Sequence, residues 1–595
     1  MSLEPYLREI DFYFANFIKE LSKEKEEVFI AAALVSKATE DGHVCLDLEE
    51  IAGREQTFFV RGINKYETIR TPELNSWVNK LLDSRVVGRP GDYKPLILDQ
   101  KNRLYLYRYW RYEDILIREL KRRTERLKKI EDFYLIKRTL EILFPNRDSS
   151  DLQKASSIIS LITYFSVISG GPGTGKTSTI AKIIALLLKL SLGRRIFLSA
   201  PTGKASARLK QAIMEIKKGL QIEEEIKDMI PKESFTIHRM LGYVPGRMNA
   251  RYNEENRLPA DVVIVDEASM IDLPLMSRLV QAIPEDATLI LLGDKDQLSS
   301  VEPGSVLGDI CAGSKEYPEI VDRFFNGDIS GLRPGIENCI IELKKNYRFS
   351  EESGIYQLSK AINSGDKERV FQILNGNYKD ILFKKLPRPE ILKKSLEQIV
   401  LEGYGRYLRA KDPFETLSLF ESFRILTPIR WGPYGVRQIN RIVEDILREN
   451  LLISMESPWY AGRPILIVEN SYELGLFNGD IGILMSDPES GNEIRAFFID
   501  PEGNVRKFLP IMLPEHETAF AMTVHKSQGS EFDNVLFILP DTYVPVITRE
   551  LIYTAITRAR KGIEVWGRPE VIEEGITQRI RRSSGLRDAL WENMS

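Results

Sequence analysis

The sequence predicts an α/β fold built on two parallel sheets, each with helices on both faces. Three observations carry that prediction. From about residue 150, short apolar strands (FSVIS, RIFLSA, DVVIVD and ATLILLGD) alternate with amphipathic helices. Strands joined through helices must run parallel, and both faces of the sheet are then covered. Each of the four strands also ends in a polar motif, and ligands of such sheets bind beyond the carboxyl ends of the strands. Finally, the same pattern resumes after about residue 345, with FRILTPI, NVLFILP and GIEVWG.

The remaining elements fit around these two sheets. A chain of 595 residues exceeds what one hydrophobic core supports. Residues 1–110 show helical apolar periodicity in FYFANFIKEL and EVFIAAALVSKA, then shorter extended pieces. They form a mainly helical N-terminal domain. Residues 111–345 hold the first α/β domain, led in by a charged helix whose basic run reads as a solvated face. Residues 346–595 hold the second. Within it, about 455–515 turns to short strands (GRPILIVEN, LGLF, IGILM), and Asn478-Gly479 signals a tight hairpin. This segment reads as a small β insertion.

Composition excludes several classes. With 83 basic and 86 acidic residues the net charge is −3, too balanced to coat duplex DNA, so any nucleic acid must lie in a local groove. Cys45, Cys311 and Cys339 have neither disulfide nor metal spacing, and the four histidines are scattered, so buried thiols and no zinc site are expected. The N-terminus lacks a signal-peptide core. The longest apolar stretch, IAKIIALLLKLSL, is interrupted by lysines and too short to span a bilayer. A cytoplasmic protein is expected.

The chemistry starts at GGPGTGKT: Gly170, Gly171, Pro172, Gly173, Thr174, Gly175, Lys176 and Thr177. The motif lies between a strand and a helix, the context a P-loop requires. Glycines let the backbone wrap phosphates with its N–H groups inward. Lys176 is placed to neutralise the β- and γ-phosphates of ATP, and Thr177 to ligate Mg²⁺. The strand DVVIVD ends in Asp266, a second Mg²⁺ residue, followed by Glu267, a base for the attacking water. LLGDKDQL sets Asp294, Asp296 and Gln297 beside the same sheet edge, where Gln297 can sense a γ-phosphate. Arg348 in NYRFS and Arg558 in YTAITRAR lie in the second α/β half. There a cation could meet the charge that develops in phosphoryl transfer.

Three further polar clusters sit on loops: Thr202 and Lys204 in APTGKASARL, Thr236 and His238 in TIHRMLG, and Thr523 and His525 with Lys526, Gln528 and Glu531 in AMTVHKSQGSEFD. Hydroxyls and lysines at one sheet edge suit contacts to a nucleic-acid backbone, which position a strand without reading its sequence.

In this order, GGPGTGKT, APTGKA, TIHRMLG, VDEASM, GDKDQL, NYR, TVHKSQGSEFD and YTAITRAR resemble the motifs of superfamily 1 helicases of the 5′-to-3′ branch. Within that branch the chain is similar to the RecD family, α subunits of bacterial exodeoxyribonuclease V. DEASMIDLPLMSRL, DKDQLSSVEPGSVLGDIC, GRPILIVENSYELGLFNGDIGIL and the GHVCLDL near residue 45 carry the likeness. The resemblance implies two RecA-like domains with ATP between them, an SH3-like insertion over the strand, and an N-terminal region that packs on a RecC-like subunit. It makes Gln153, in DLQKA, the adenine reader. It makes Lys176, Thr177, Asp266 and Glu267 the phosphate, metal and water residues, Gln297 the γ-phosphate sensor, and Arg348 and Arg558 arginine fingers. Thr202, Lys204, Thr236, His238, Thr523 and His525 become strand contacts. Tyr434, Trp459 and Phe477 are aromatics with a choice between base stacking and core packing. The family implies single-stranded DNA and RecB-like and RecC-like subunits as partners, with exonuclease activity belonging to the RecB-like one. A stand-alone helicase and an ATP-gated regulatory subunit of a nuclease are the competing readings.

Overall fold

A computed structural model describes residues 6–23, 25–60, 65–129, 132–145, 151–244, 250–314, 318–326, 335–471, 473–500 and 503–592. The first sheet has six parallel strands in the order Phe235–Thr236, Ile196–Ala200, Val262–Val265, Thr288–Gly293, Phe165–Gly170, Ile340–Leu343. Its three central strands, VVIV, TLILLG and FSVISG, are buried at every position, because helices cover both faces. Continuous apolar runs are what that environment selects. The second sheet has five parallel strands in the order Ile381–Lys385, Ala559–Gly567, Phe532–Ile538, Phe423–Thr427, Ala521–Thr523.

The insertion is a five-stranded antiparallel sheet ordered Val505–Phe508, Glu493–Ile499, Ile481–Asp487, Pro464–Ile467, His516–Thr518. Asn478-Gly479 does not close a two-residue hairpin. It sits in a turn at the end of a longer loop between Pro464–Ile467 and Ile481–Asp487, where Asp480 N–H donates to Phe477 O at 2.9 Å and Gly479 has φ +96°. The dipeptide thus shapes a turn as expected, but LGLF before it forms no strand, and the partner of Ile481–Asp487 is the earlier strand Pro464–Ile467.

In the N-terminal region, helices Glu9–Leu21 and Glu26–Glu40 pack together, with Trp77 fully buried and donating its indole N–H to Glu27 O at 3.0 Å. Two small sheets accompany them, one including Glu55–Val60 and Lys65–Arg70, the other Leu96–Leu98 and Arg103–Leu106. The charged lead-in helix, Tyr107–Thr124, is not solvated throughout. Arg123 is buried and donates to the carbonyls of Ala287, Ile283 and Pro284 at 2.7–3.0 Å, which ties this helix to the first sheet.

After the second sheet the chain returns across the molecule. Arg582 donates to the carbonyls of Ser300, Glu302 and Gly304 at 2.6–2.7 Å, satisfying the loop that follows the Thr288–Gly293 strand. Ser583 N–H donates to His43 Nδ1 at 3.0 Å, and its carbonyl accepts from Val44 N–H at 2.9 Å. Buried Glu113 accepts from Ser584 Oγ, Gly585 N–H and Tyr105 OH at 2.8–3.1 Å. This strap holds the N-terminal region, the first sheet and the C-terminal segment as one unit.

Asp309 lies under the strap. Its backbone carbonyl accepts from the Trp591 indole, while its carboxyl oxygen Oδ2 is buried with no hydrogen-bond partner among the described residues. Burial pushes this carboxyl up to about 7 from an ordinary 3.8. The folded state therefore holds a proton that the unfolded chain has released, and stability present below pH 3.8 is lost as pH rises through about 7. Asp309→Asn removes that loss. We expect a raised unfolding temperature at pH 8 with little change at pH 4; an equal effect at both pH values would contradict the assignment.

Candidate active site

The P-loop wraps the end of the Phe165–Gly170 strand because two of its glycines take left-handed conformations, Gly173 at φ +80° and Gly175 at φ +82°. Space also excludes side chains there. A Cβ on Gly173 would lie 2.6 Å from Arg348 Cβ, and one on Gly175 would lie 2.5 Å from Gln153 Nε2. Gln153, on the helix capped by Asp151, is thereby brought against the loop. Helix Lys176–Lys189 starts at the loop, so its unpaired N–H groups face the cleft, with Thr177 half-buried in its first turn. Lys176 Nζ donates back to the carbonyls of Gly170 and Gly171 at 2.6 and 3.2 Å.

Asp266 and Glu267 stand directly beyond the Val262–Val265 strand. Asp266 is tied to the neighbouring strand by its N–H to Ser199 O at 2.9 Å, and its Oδ1 accepts from Glu267 N–H at 2.8 Å. Glu267 has φ +52°, a left-handed conformation that costs a non-glycine residue roughly 1–2 kcal/mol. That strain turns the residue into the cavity it lines with Lys176 and Arg208, a space of ≈ 380 Å³. Burial, then repulsion from Glu267, raises Asp266 to about 6 against the opposing pull of Lys176. A half-buried pair of carboxylates beside a lysine and a helix N-terminus is a donor set suited to a divalent cation with its phosphate ligand.

Across the cleft, a polar chain joins the two sheets. Buried Asp294 accepts at Oδ2 from Gln297 Nε2 and from Tyr553 OH, each at 2.9 Å. Gln297 Oε1 accepts from the Arg558 guanidinium at 2.9 Å. Arg558, fully buried, also donates to Thr554 O and Ser530 O. The same loop is held twice more, by Leu298 N–H to Thr554 Oγ1 at 3.0 Å and by Gln528 Nε2 to Leu298 O at 2.8 Å.

Arg348 stands where the chain passes from the first sheet to the second α/β half, with Phe349 next to it packed on the core of the second. The strand before it, Ile340–Leu343, pairs with the P-loop strand in the first sheet. Asn346 Nδ2 donates to Pro172 O at 2.9 Å and Tyr347 N–H to Gly173 O at 2.8 Å, so the NYR loop is fastened to the P-loop itself. Its partner crosses the cleft instead: Glu531 pairs with Arg348 at 2.9 Å and with Arg208 at 3.0 Å. Burial pushes Glu531 up, but Arg208, Arg348 and Arg558 outweigh it and hold its carboxyl at about 2. Arg208 was not singled out from the sequence. Its signal was its place four residues after Lys204, on the same face of helix Gly203–Gly219. Tyr553 was passed over as well, five residues before Arg558 in the same motif.

The loop residues lie at the carboxyl edges of both sheets. Thr202 and Thr236 cap helices, accepting from Ala205 N–H and Arg239 N–H at 3.2 Å, and Thr523 accepts from Lys526 N–H at 3.3 Å. Lys204 pairs with Glu421 of the second domain at 3.1 Å. His238 lies beside Tyr243, ring centroids 5.3 Å apart, and burial lowers both His238 and His525 below 6.5, which favours neutral rings. Phe477 of the insertion packs on Gly203, where a Cβ would sit 3.3 Å from Phe477 Cβ. Tyr434 is core, its hydroxyl donating to Pro387 O at 2.8 Å, so it cannot stack on a base. Trp459 is half-buried and packs against His516.

A P-loop on one parallel sheet, whose neighbouring Gln297 loop accepts a hydrogen bond from Arg558 of a second parallel sheet, defines the chain as a two-domain P-loop ATPase of helicase type. Its N-terminal residues 4–105 match the family model for the RecBCD enzyme subunit RecD, N-terminal domain. Residues 153–303 match an AAA domain, and residues 518–563 a UvrD-like helicase C-terminal domain. RecBCD enzyme subunit RecD of Mycobacterium tuberculosis is 34% identical over 97% of this chain and 94% of its own length. That of Haemophilus influenzae is 30% identical over 97% of this chain and 96% of its own. The chain belongs to the RecD family. The ATP-dependent RecD2 DNA helicase of Deinococcus radiodurans is 30% identical too, but the match covers 66% of this chain and only 46% of that protein.

Proposed function

We propose that this chain is the ATP-dependent 5′-to-3′ DNA helicase subunit of a RecBCD-type helicase–nuclease, working on duplex ends in double-strand break repair. The observation that carries the reading is the Gln297–Arg558 contact, which links the phosphate-sensing loop of one sheet to the other sheet. Family membership over nearly the full chain supports the subunit assignment over a stand-alone helicase. Intact strand-contacting loops on both sheets argue against a purely regulatory ATPase.

In this reading the P-loop N–H groups and Lys176 bind the phosphates of ATP, and Gln153 faces the adenine. Thr177 and Asp266 hold Mg²⁺, which when bound withdraws charge from the phosphoryl oxygens. Glu267 orients the attacking water and takes its proton. To reach a phosphate, Lys176 must leave the carbonyls of Gly170 and Gly171, and Arg348 must leave Glu531. Arg558 needs only a small movement, since Gln297 already holds it at the first sheet's edge. Closure of the cleft then shifts Thr202, Lys204 and Thr236 relative to Thr523 and His525. Alternating grip by the two sets advances the chain along one strand. No helix among the described residues is long and apolar enough to cross a membrane, in keeping with a cytoplasmic site of action.

For the partners, helix Glu9–Leu21 supports docking on a RecC-like subunit. Ile10, Tyr13, Phe17 and Leu21 form a stripe along it, 41–68% exposed, an apolar face unusual for a surface helix. Exonuclease activity is assigned to the RecB-like partner.

Lys176→Gln should reduce DNA-stimulated ATP hydrolysis by at least about a hundred-fold while the protein still folds. Retained hydrolysis or strand displacement on 5′-tailed DNA would remove the motor assignment. Tyr13→Asp with Phe17→Asp should release the chain from RecB-like and RecC-like subunits on co-purification; an intact heterotrimer would place the interface elsewhere.

A further inference from the structure

Trp431 belongs to none of the helicase motifs described above, yet its surroundings are unusual. It is 64% exposed, on the loop that follows strand Phe423–Thr427. Isolated exposed apolar residues are ordinary on protein surfaces, so exposure alone decides nothing. Three other features do.

The loop is organised rather than slack. Val436 N–H donates to Ile429 O at 3.0 Å, Gly435 N–H to Gly432 O at 3.1 Å, and Thr427 Oγ1 to Tyr434 O at 2.8 Å. Gly432, at φ +90°, supplies the left-handed residue that lets the chain turn directly after Trp431. The indole is thus presented on a fixed support. One face of the ring is covered by the Arg437 guanidinium, 3.8 Å from the ring centroid, which fixes its plane.

The loop is also next to the proposed strand contacts. Strand Phe423–Thr427 pairs in parallel with Ala521–Thr523, Thr427 opposite Thr523. Beyond those strands the two loops are joined through Glu517, which pairs with Arg430 on one side and with Lys526 at 2.7 Å on the other. Trp431 therefore stands beside Arg430 and under Arg437, and Glu517 links Arg430 to Lys526 of the neighbouring loop. A fixed aromatic plane beside cations is how proteins hold single-stranded nucleic acid without reading its sequence: cations follow the phosphates while a base stacks on the ring.

We propose that Trp431 is a stacking platform for one base of single-stranded DNA on the second sheet, a positioning residue for the strand beside Thr523 and His525. This rests on the DNA-tracking reading above. The test is equilibrium titration of the full-length chain with single-stranded oligothymidylate, following tryptophan emission and anisotropy of a labelled oligonucleotide. Wild type should bind with quenched emission. Trp431→Phe, which keeps an aromatic plane, should bind within about three-fold of wild type and lose most of the quenching. Trp431→Ala, with its melting temperature checked, should bind about ten-fold or more weakly. Unchanged affinity in Trp431→Ala, or unchanged quenching in Trp431→Phe, would overturn the proposal while leaving the helicase reading intact. Failure of wild type to bind oligothymidylate would overturn both.

Discussion

The structure depends on one buried contact, the hydrogen bond from Arg558 to Gln297 across the cleft. A buried guanidinium must place its N–H groups on acceptors, and leaving it unpaired is costly. Here the acceptors are two carbonyls of its own domain and one side chain of the other. The arginine is therefore satisfied only while the second sheet sits against the loop that carries Gln297. That loop in turn reaches Asp294, which is buried beside the P-loop strand and feels Lys176. A change at the phosphate site thus has a short physical route to the second sheet, through hydrogen-bonded groups with few alternatives.

The rest of the molecule limits how the sheets can move. The NYR loop is fastened to the P-loop, so the connection between the sheets is anchored at the nucleotide site itself. At the other end, the strap of Arg582, Ser583 and Gly585 ties the C-terminal segment to the first sheet and the N-terminal region. Both ends of the second domain are thus held against the first. Phe477 against Gly203 and Lys204 against Glu421 add outer contacts between the insertion, the second domain and the first. Such a geometry favours strand-tracking over a simple on–off ATPase.

Much of this was legible in the sequence because its elements are strongly patterned. The four strands of the first set are apolar runs that could be nothing but buried, and each leads into a motif whose spacing demands a turn. The β insertion announced itself by composition. The strand Ile340–Leu343 was not legible, since IIEL is three apolar residues and a glutamate, too short and too mixed to stand apart from a loop. The strap was invisible because Arg582, Ser583 and Glu113 are ordinary residues whose meaning lies in contacts from 278 to 540 positions apart in the chain. Arg208 and Tyr553 were hidden for the same reason: each acts across the cleft, and no periodicity reports a partner on another domain.

The central claim, that hydrolysis is coupled to domain movement through Gln297 and Arg558, is tested most directly by a double-mutant cycle on DNA-stimulated kcat. If the two residues act as one unit, Gln297→Ala with Arg558→Ala should be no slower than the worse single variant. If the losses simply multiply, the two side chains act independently, and the coupling proposed here does not exist.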